Sequence, residues 1–389
     1  MSDELSRELD RWRRRALIFG VGVLIAAVAD GILHPEQFFR SYLLAYVFWV
    51  GLPLGCSAFL LVHYLTGGKW GVPVKRPLEA GVRTLPLMIA LLVPLLFGLG
   101  KLFPWMNPAM VAAAPDLQLK RIYLNVPFFL AREIIYFGCW LWIAYRLSHF
   151  SAELDRTGDP SYHDRLESMA GWALVVYAMT ITFFAVDWVM SLEAHWFSTI
   201  FGLIFIVIQV QAAIALGILV AWLLGNYEPT SATITPARFN DLGNLLLTFV
   251  MLWAYLAFSQ FLVIWSGDLL ADISWYLSRA ARGWSVLAAG LIVFYFAVPF
   301  FLLLMRDVKR RARVLARLCV VLLLMNFVDV FWMVVPSFHK ENPRFYLLDL
   351  LLPLGFGGIW AAYYIRNLSR HPLLPYRDSG FEGVLQHGD

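Results

Sequence analysis

Charge is scarce in this chain. Only 15% of its 389 residues are Asp, Glu, Lys or Arg, against about 25% in an ordinary soluble protein. A chain so poor in charge cannot cover a water-facing surface. That excludes the two or three soluble domains its length would otherwise suggest. Cysteine is nearly missing too: Cys56, Cys139 and Cys319 stand alone within apolar stretches. No disulfide framework, structural zinc site or cysteine-held iron–sulfur cluster can be built from them. No HExxH, P-loop or GxSxG motif occurs in a suitable context. Repeats, low-complexity tracts and a soluble domain are absent as well.

What the chain has in abundance is apolar surface. Hydrophobic types make up 60% of it, aromatics 16%, with 16 Trp, 16 Tyr and 30 Phe, and mean hydropathy is +0.67. A membrane helix needs about 20 mostly apolar residues, and ten such runs are present. They cover approximately 16–33, 41–65, 84–103, 122–146, 166–189, 196–224, 241–267, 284–305, 314–336 and 346–366. The runs are continuous rather than alternating, which excludes a β-barrel of the outer-membrane type. The expectation is an all-α membrane protein with ten spans and short connections. Pro53, Pro94, Pro127, Pro299 and Pro353 fall within spans, where neighbouring helices must satisfy the freed carbonyls.

Lys and Arg crowd the N-terminal segment, the even-numbered connections and the tail. The positive-inside rule then places both termini in the cytoplasm of a bacterial inner membrane. The strongest anchor is Arg306, Lys309, Arg310, Arg311, Arg313 and Arg317. Beside two spans, that basic run reads as a topology signal rather than a nucleic-acid contact. Residues 1–15 are expected to form a cytoplasmic amphipathic segment, with Leu5, Leu9 and Trp12 on one face. The spanning region is 16–366 and the cytoplasmic tail 367–389. The first apolar run follows acidic as well as basic residues and lacks a small-residue cleavage site, so no cleavable signal peptide is expected.

Charges inside spans usually mark function. Here Arg132 and Glu133 lie in span four, Asp187 near the end of span five and Asp329 in span nine. Asp30, Asp268 and Asp349 sit at span ends and read first as interface residues. With the termini cytoplasmic, nearly all of these charges gather in the outer half of the bilayer, which suggests an outward-opening polar cavity above a dry inner half. Arg132 can pair with Asp187 or Asp329, or act in mechanism; the sequence leaves both open. Asp329 lies one turn from Asn326 and Met333 on one polar stripe. Gln209, Gln211 and Gln260 suit interhelical hydrogen bonds. Segment 183–202 is the densest: Asp187, Glu193 and His195 crowd one short connection, and Ser198 and Thr199 can cap the next span. Such a group suits proton transfer at the membrane surface; a hydrogen-bonded corner fixing two helices is the alternative. All eight histidines lie in connections, at span ends or in the tail. Facing histidines for a membrane b-type haem are therefore lacking.

Several long motifs carry a resemblance. Thr182–Gly202 (TFFAVDWVMSLEAHWFSTIFG) resembles the signature of the second quinone-binding-type membrane subunit of alternative complex III, a bacterial quinol:cytochrome c oxidoreductase. That subunit belongs to the wider family of the polysulfide reductase membrane anchor. Leu65–Arg83 (LTGGKWGVPVKRPLEAGVR), Tyr123–Arg132 (YLNVPFFLAR), Asp241–Ser266 (DLGNLLLTFVMLWAYLAFSQFLVIWS), Trp275–Trp284 and Arg370–Asp378 (RHPLLPYRD) fit in the same order. Two departures stand out: Ala194 where Pro is expected, and a less acidic stretch at Leu269–Asp272.

The resemblance implies two four-helix bundles flanked by two further helices, with no cofactor bound by this chain. It implies a homologous membrane subunit, an iron–sulfur subunit and c-type haem subunits as partners, with quinone or menaquinone as the lipid-soluble carrier. In such complexes quinol oxidation is better ascribed to the homologous subunit, and the present type is more often proposed to conduct protons. The expected polar path is Arg132, Glu133, Asp187, Glu193, His195 and Asp329. The competing expectation is a quinone pocket lined by Trp188, His195 and Trp196. A stand-alone secondary transporter is a third reading, which no inverted sequence symmetry supports.

Overall fold

The structure is a computed structural model describing residues 3–193, 195–228, 230–233, 235–281, 283–339 and 344–374; Ala194, one of the two sequence departures, lies outside these, as do Met1, Ser2 and residues 375–389 of the tail. Among the described residues there is no strand. Ten helical spans are long and apolar enough to cross a membrane. They are α1 Asp3–Leu33, α2 Pro35–Thr66, α3 Lys75–Leu96, α4 Val126–Thr157, α5 Ser161–Leu192, α6 Phe201–Leu224, α7 Pro236–Gly267, α8 Trp284–Leu304, α9 Ala312–Ser337 and α10 Leu348–Ser369. This is a multi-pass, all-α membrane protein.

Contacts sort the spans into two four-helix groups. The first is α2–α5 and the second α6–α9, while α1 packs on α10 and α10 on α2. α6 touches α2 and α5 on one side and α7 and α9 on the other, so it is the seam between the groups. Large apolar side chains such as Ile18, Tyr255, Val263 and Phe301 point outward, as lipid-facing positions must. Local signals set the helix ends. Asn125 accepts the Phe128 N–H at 3.0 Å and starts α4 with Pro127 in its first turn. Gly158, at φ 71°, ends it in the left-handed conformation.

An even number of crossings brings the start of α1 and the end of α10 to one face, here the terminal face; the other is the opposite face. Three expectations need correction. The amphipathic N-terminal segment is no separate element, because one helix runs unbroken from Asp3 into the first span. Leu5 and Trp12, seven residues apart, do share a face of that helix, Leu5 buried and Trp12 59% exposed. Span three starts at Lys75 rather than near residue 84. Its charged first turns tolerate burial because Arg76 and Glu79 pair at 2.6 Å. The connection after α3 is not short: residues 97–125 hold the helical pieces Leu99–Leu102, Pro104–Met106, Pro108–Ala113 and Pro115–Lys120. Proline in the first turn of the last three restarts the helix each time.

Close approach of α1 and α10 requires glycine. A Cβ on Gly358 would lie 2.5 Å from the Gly20 Cα, and one on Gly20 would lie 2.6 Å from the Ile359 nitrogen. Gly22, on the same helix, has open space. Gly358→Leu is therefore expected to destabilise the protein by about 1–3 kcal/mol through overpacking, and Gly22→Leu to leave it unchanged. Thermal unfolding in detergent, followed by tryptophan fluorescence, checks this; equal melting of the two variants would count against the packing.

Candidate functional site

At the opposite-face end of the first bundle, Arg132 of α4 grips Asp187 of α5. The guanidinium donates from Nε to Oδ2 at 2.9 Å and from Nη2 to Oδ1 at 2.7 Å. Asp187 is wholly buried and Arg132 nearly so. The Tyr136 hydroxyl donates to Asp187 Oδ2 at 2.9 Å, and Arg132 Nη1 donates to the Tyr123 carbonyl at 3.0 Å. The guanidinium also lies over the Tyr123 and Phe128 rings, 3.8 and 4.5 Å from their centroids. A planar fork suits this site in a way lysine would not. Of the two carboxylates offered to Arg132, it is Asp187 that takes it.

Glu133, the next residue, points elsewhere. Its Oε1 accepts the Trp188 indole N–H at 2.8 Å, while Oε2 is buried with no hydrogen-bond partner. The Tyr46 hydroxyl of α2 is likewise buried with no hydrogen-bond partner among the described residues, and its ring lies 5.9 Å from that of Trp188. Glu133 sits seven residues into α4, roughly 10 Å along the helix axis. Phe103, Phe129 and Phe184 pack around Trp188.

Asp329 of α9 is the buried carboxyl of the second bundle. It is 1% exposed and accepts the Trp253 indole N–H at 3.0 Å. Tyr295 stacks edge-on against Trp253 at 4.8 Å, and its hydroxyl accepts from Asn326 Nδ2 at 2.9 Å. Asn326 also donates to the Ile208 carbonyl of α6, so the expected polar stripe on α9 is present. No ion pair reaches Glu133 or Asp329 among the described residues.

The remaining candidates sit in connections at the opposite face. Glu193 lies 3.7 Å from Arg279, which joins the turn after α5 to the helix Leu270–Ala280 before α8. Arg279 donates to the carbonyls of Met333, Trp332 and Trp275 and lies over the Trp275 ring. Burial pulls its guanidinium down to about 9, and Glu193 opposes that. His195 is exposed and hydrogen-bonds Asp116 of the long connection at 2.6 Å. Trp196 is buried and stacks on Trp275 at 4.8 Å. Ser198 does not cap α6: its hydroxyl donates to Gln260 of α7, and Ile200 starts the helix without a side-chain cap.

Arg132 and Asp187 thus form one group with Glu133 beside it, while Glu193, His195 and Asp329 each belong to another. Trp188 and Trp196 are sealed in separate aromatic clusters. Asp349 binds Ser41 and Gln37, Asp30 pairs with exposed His34, and Asp268 closes α7 at φ 48°; these are structural. Sequence reasoning passed over Tyr46, Tyr136, Trp253, Tyr295, Arg279 and Asp116. It also missed a buried cluster at the terminal face, where Arg76 holds Glu79 and Asp155 and Ser151 donates to Glu79 at 2.6 Å. The spacing of Arg76, Glu79 and Arg83 at three and four residues was its readable signal. The half of the spans toward the terminal face is accordingly not free of charge.

No protein-family model and no curated protein matches the chain. Among the described residues, no group of three His, Cys, Asp or Glu is placed to hold a metal ion.

Asp187→Asn should cost about 3–5 kcal/mol, because it strands a buried guanidinium. Replacing the pair together, by Arg132→Met with Asp187→Leu, should recover most of that. Thermal unfolding of both variants in detergent gives the comparison. A single variant as stable as the wild type would mean that Asp187 does not hold Arg132.

Proposed function

We propose that this chain is an integral membrane subunit of a quinol-oxidising respiratory complex of the alternative complex III type, in which it provides a proton-conducting path. The complex assignment rests on the order of the motifs in the chain. The proton reading rests on one observation: Glu133 and Asp329 are carboxyl groups buried within spans, each accepting an indole N–H and, among the described residues, forming no ion pair. Intramembrane carboxyls of this kind mark ion pathways and proton relays.

In this reading His195 and Asp116 exchange protons with the aqueous phase at the opposite face. The Arg132–Asp187 ion pair, neutral as a whole, ties α4 to α5 beside Glu133. Glu133, next to the Tyr46 hydroxyl, holds the proton within the first bundle; Asp329, beside Tyr295, does so in the second. Quinol oxidation, iron–sulfur clusters and haem c belong to partner subunits, including a homologous membrane subunit. The quinone pocket at Trp188, His195 and Trp196 is the weaker reading, because both indoles are enclosed by packed rings.

Two measurements test this. After mild detergent extraction the chain should co-purify with c-type haem subunits; purification as a lone functional protein would end the complex assignment. In the intact complex, Glu133→Gln or Asp329→Asn should lower proton release per quinol oxidised while electron transfer persists. Unchanged proton stoichiometry in both variants would remove these carboxyls from any path.

A further inference from the structure

At the other end of α4 and α5 lies a groove of about 660 Å³, far from Arg132 and Asp187. Arg146 and His149 of α4 and Arg165 and Asp164 of α5 line its polar part. Neither arginine has an ion pair among the described residues, and Arg146 Nε is buried without a hydrogen-bond partner. Arg146 rests on the Phe150 ring at 4.5 Å and Arg165 on Tyr162 at 5.1 Å, so both guanidiniums are held by ring faces rather than carboxylates. The apolar part is a pair of indoles, Trp142 and Trp172, 5.0 Å apart and each more than two-fifths exposed.

Depth decides what such a groove can hold. From Val126, where α4 begins at the opposite face, Trp142 is about 24 Å and Arg146 about 30 Å along the helix. With a hydrocarbon layer about 30 Å thick, the indoles lie at the acyl boundary and the guanidiniums at the headgroups. Tryptophan favours that boundary, and arginine forks match phosphate oxygens bidentately. The two arginines outnumber the one acid, Asp164, so the lining favours an anion. The exposed indoles call for an acyl chain on the same molecule.

We propose that this groove is a binding site for an anionic phospholipid at the terminal face, with the phosphodiester between Arg146 and Arg165 and an acyl chain against Trp142 and Trp172. The site is independent of the proton reading, since it uses none of the same residues.

The test is native mass spectrometry of the full-length protein released from detergent, titrated with phosphatidylglycerol and phosphatidylcholine of identical chains. Phosphatidylglycerol should bind more tightly. R165Q should weaken it about fivefold and R146Q/R165Q about thirtyfold, at roughly one charge contact per arginine, with phosphatidylcholine unaffected. Arg165 is exposed and has no ion pair among the described residues, so R165Q keeps the test open should the double variant not fold. R310Q, an exposed basic residue on the same face, should change nothing. Equal binding of the two lipids would overturn the site and leave the groove to an acidic partner segment. Competition by glycerol phosphate as strong as by the lipid would also overturn it, as would an R310Q loss equal to that of R165Q.

Discussion

Hydrocarbon gives a charge nothing to interact with, so each charge carried into the membrane must find its partner inside the protein. That constraint shapes both ends of this molecule. At the terminal face Arg76 donates from Nη2 to both oxygens of Asp155 and from Nη1 to Glu79. Those bonds tie the first turn of α3 to the last turns of α4 and let Lys75–Val82 lie buried. At the opposite face Arg132 and Asp187 tie the start of α4 to the end of α5 in the same way. The first bundle is clamped at top and bottom by arginine forks, and its middle is free to be apolar.

Glu133 and Asp329 break this rule, and they break it alike. Each is buried, each accepts one indole N–H, and each has a tyrosine beside it. Yet the two sites are not copies from a duplicated bundle. In the first, tyrosine, carboxyl and indole come from the first, third and fourth helices; in the second, from the third, fourth and second. The same chemistry is assembled from different positions, which points to the chemistry as the thing required. Asn326 carries the second site to the α6 backbone at Ile208. Its neighbour Gln209 accepts the Tyr177 hydroxyl on the first-bundle side. The seam helix therefore has polar contacts on both flanks at one level.

Much of this was legible beforehand, for reasons that particular residues show. Continuous apolar runs reveal spans because only helices satisfy their own backbone in lipid. Arg132, Asp187 and Asp329 stood out because charge is costly there, and the choice of Asp187 by Arg132 lay between two stated alternatives. Tyr46, Trp253 and Tyr295 could not be singled out: in a chain with 16 Trp and 16 Tyr, an aromatic acquires meaning only when its polar atom is seen to face a carboxyl. The pairing of His195 with Asp116 was hidden by distance along the chain. The clamp at Arg76 was hidden because charged residues before an apolar run read as a connection, and only their mutual pairing allows them inside.

Pro299 shows how one legible residue reaches the site through backbone geometry. Proline has no N–H to give the carbonyl four residues back, which is that of Tyr295. Around it the helix widens over Leu291–Ala297, and the Val298 N–H bonds the Val293 carbonyl, five residues back instead of four. At 3.6 residues per turn, side chains four apart drift by about 40° each step. Leu291, Tyr295, Pro299 and Leu303 would then spiral off any one face of α8. In the widened segment a step of four falls short of a full turn, which offsets the excess of the α-helical steps beside it, so all four stay buried while Ile292, Val293 and Phe294 face outward. The Tyr295 hydroxyl is thereby held against Asn326, one helical turn from Asp329 on α9. A proline that reads in the sequence only as a tolerated kink thus adjoins the widened turns that carry Tyr295 toward the second carboxyl.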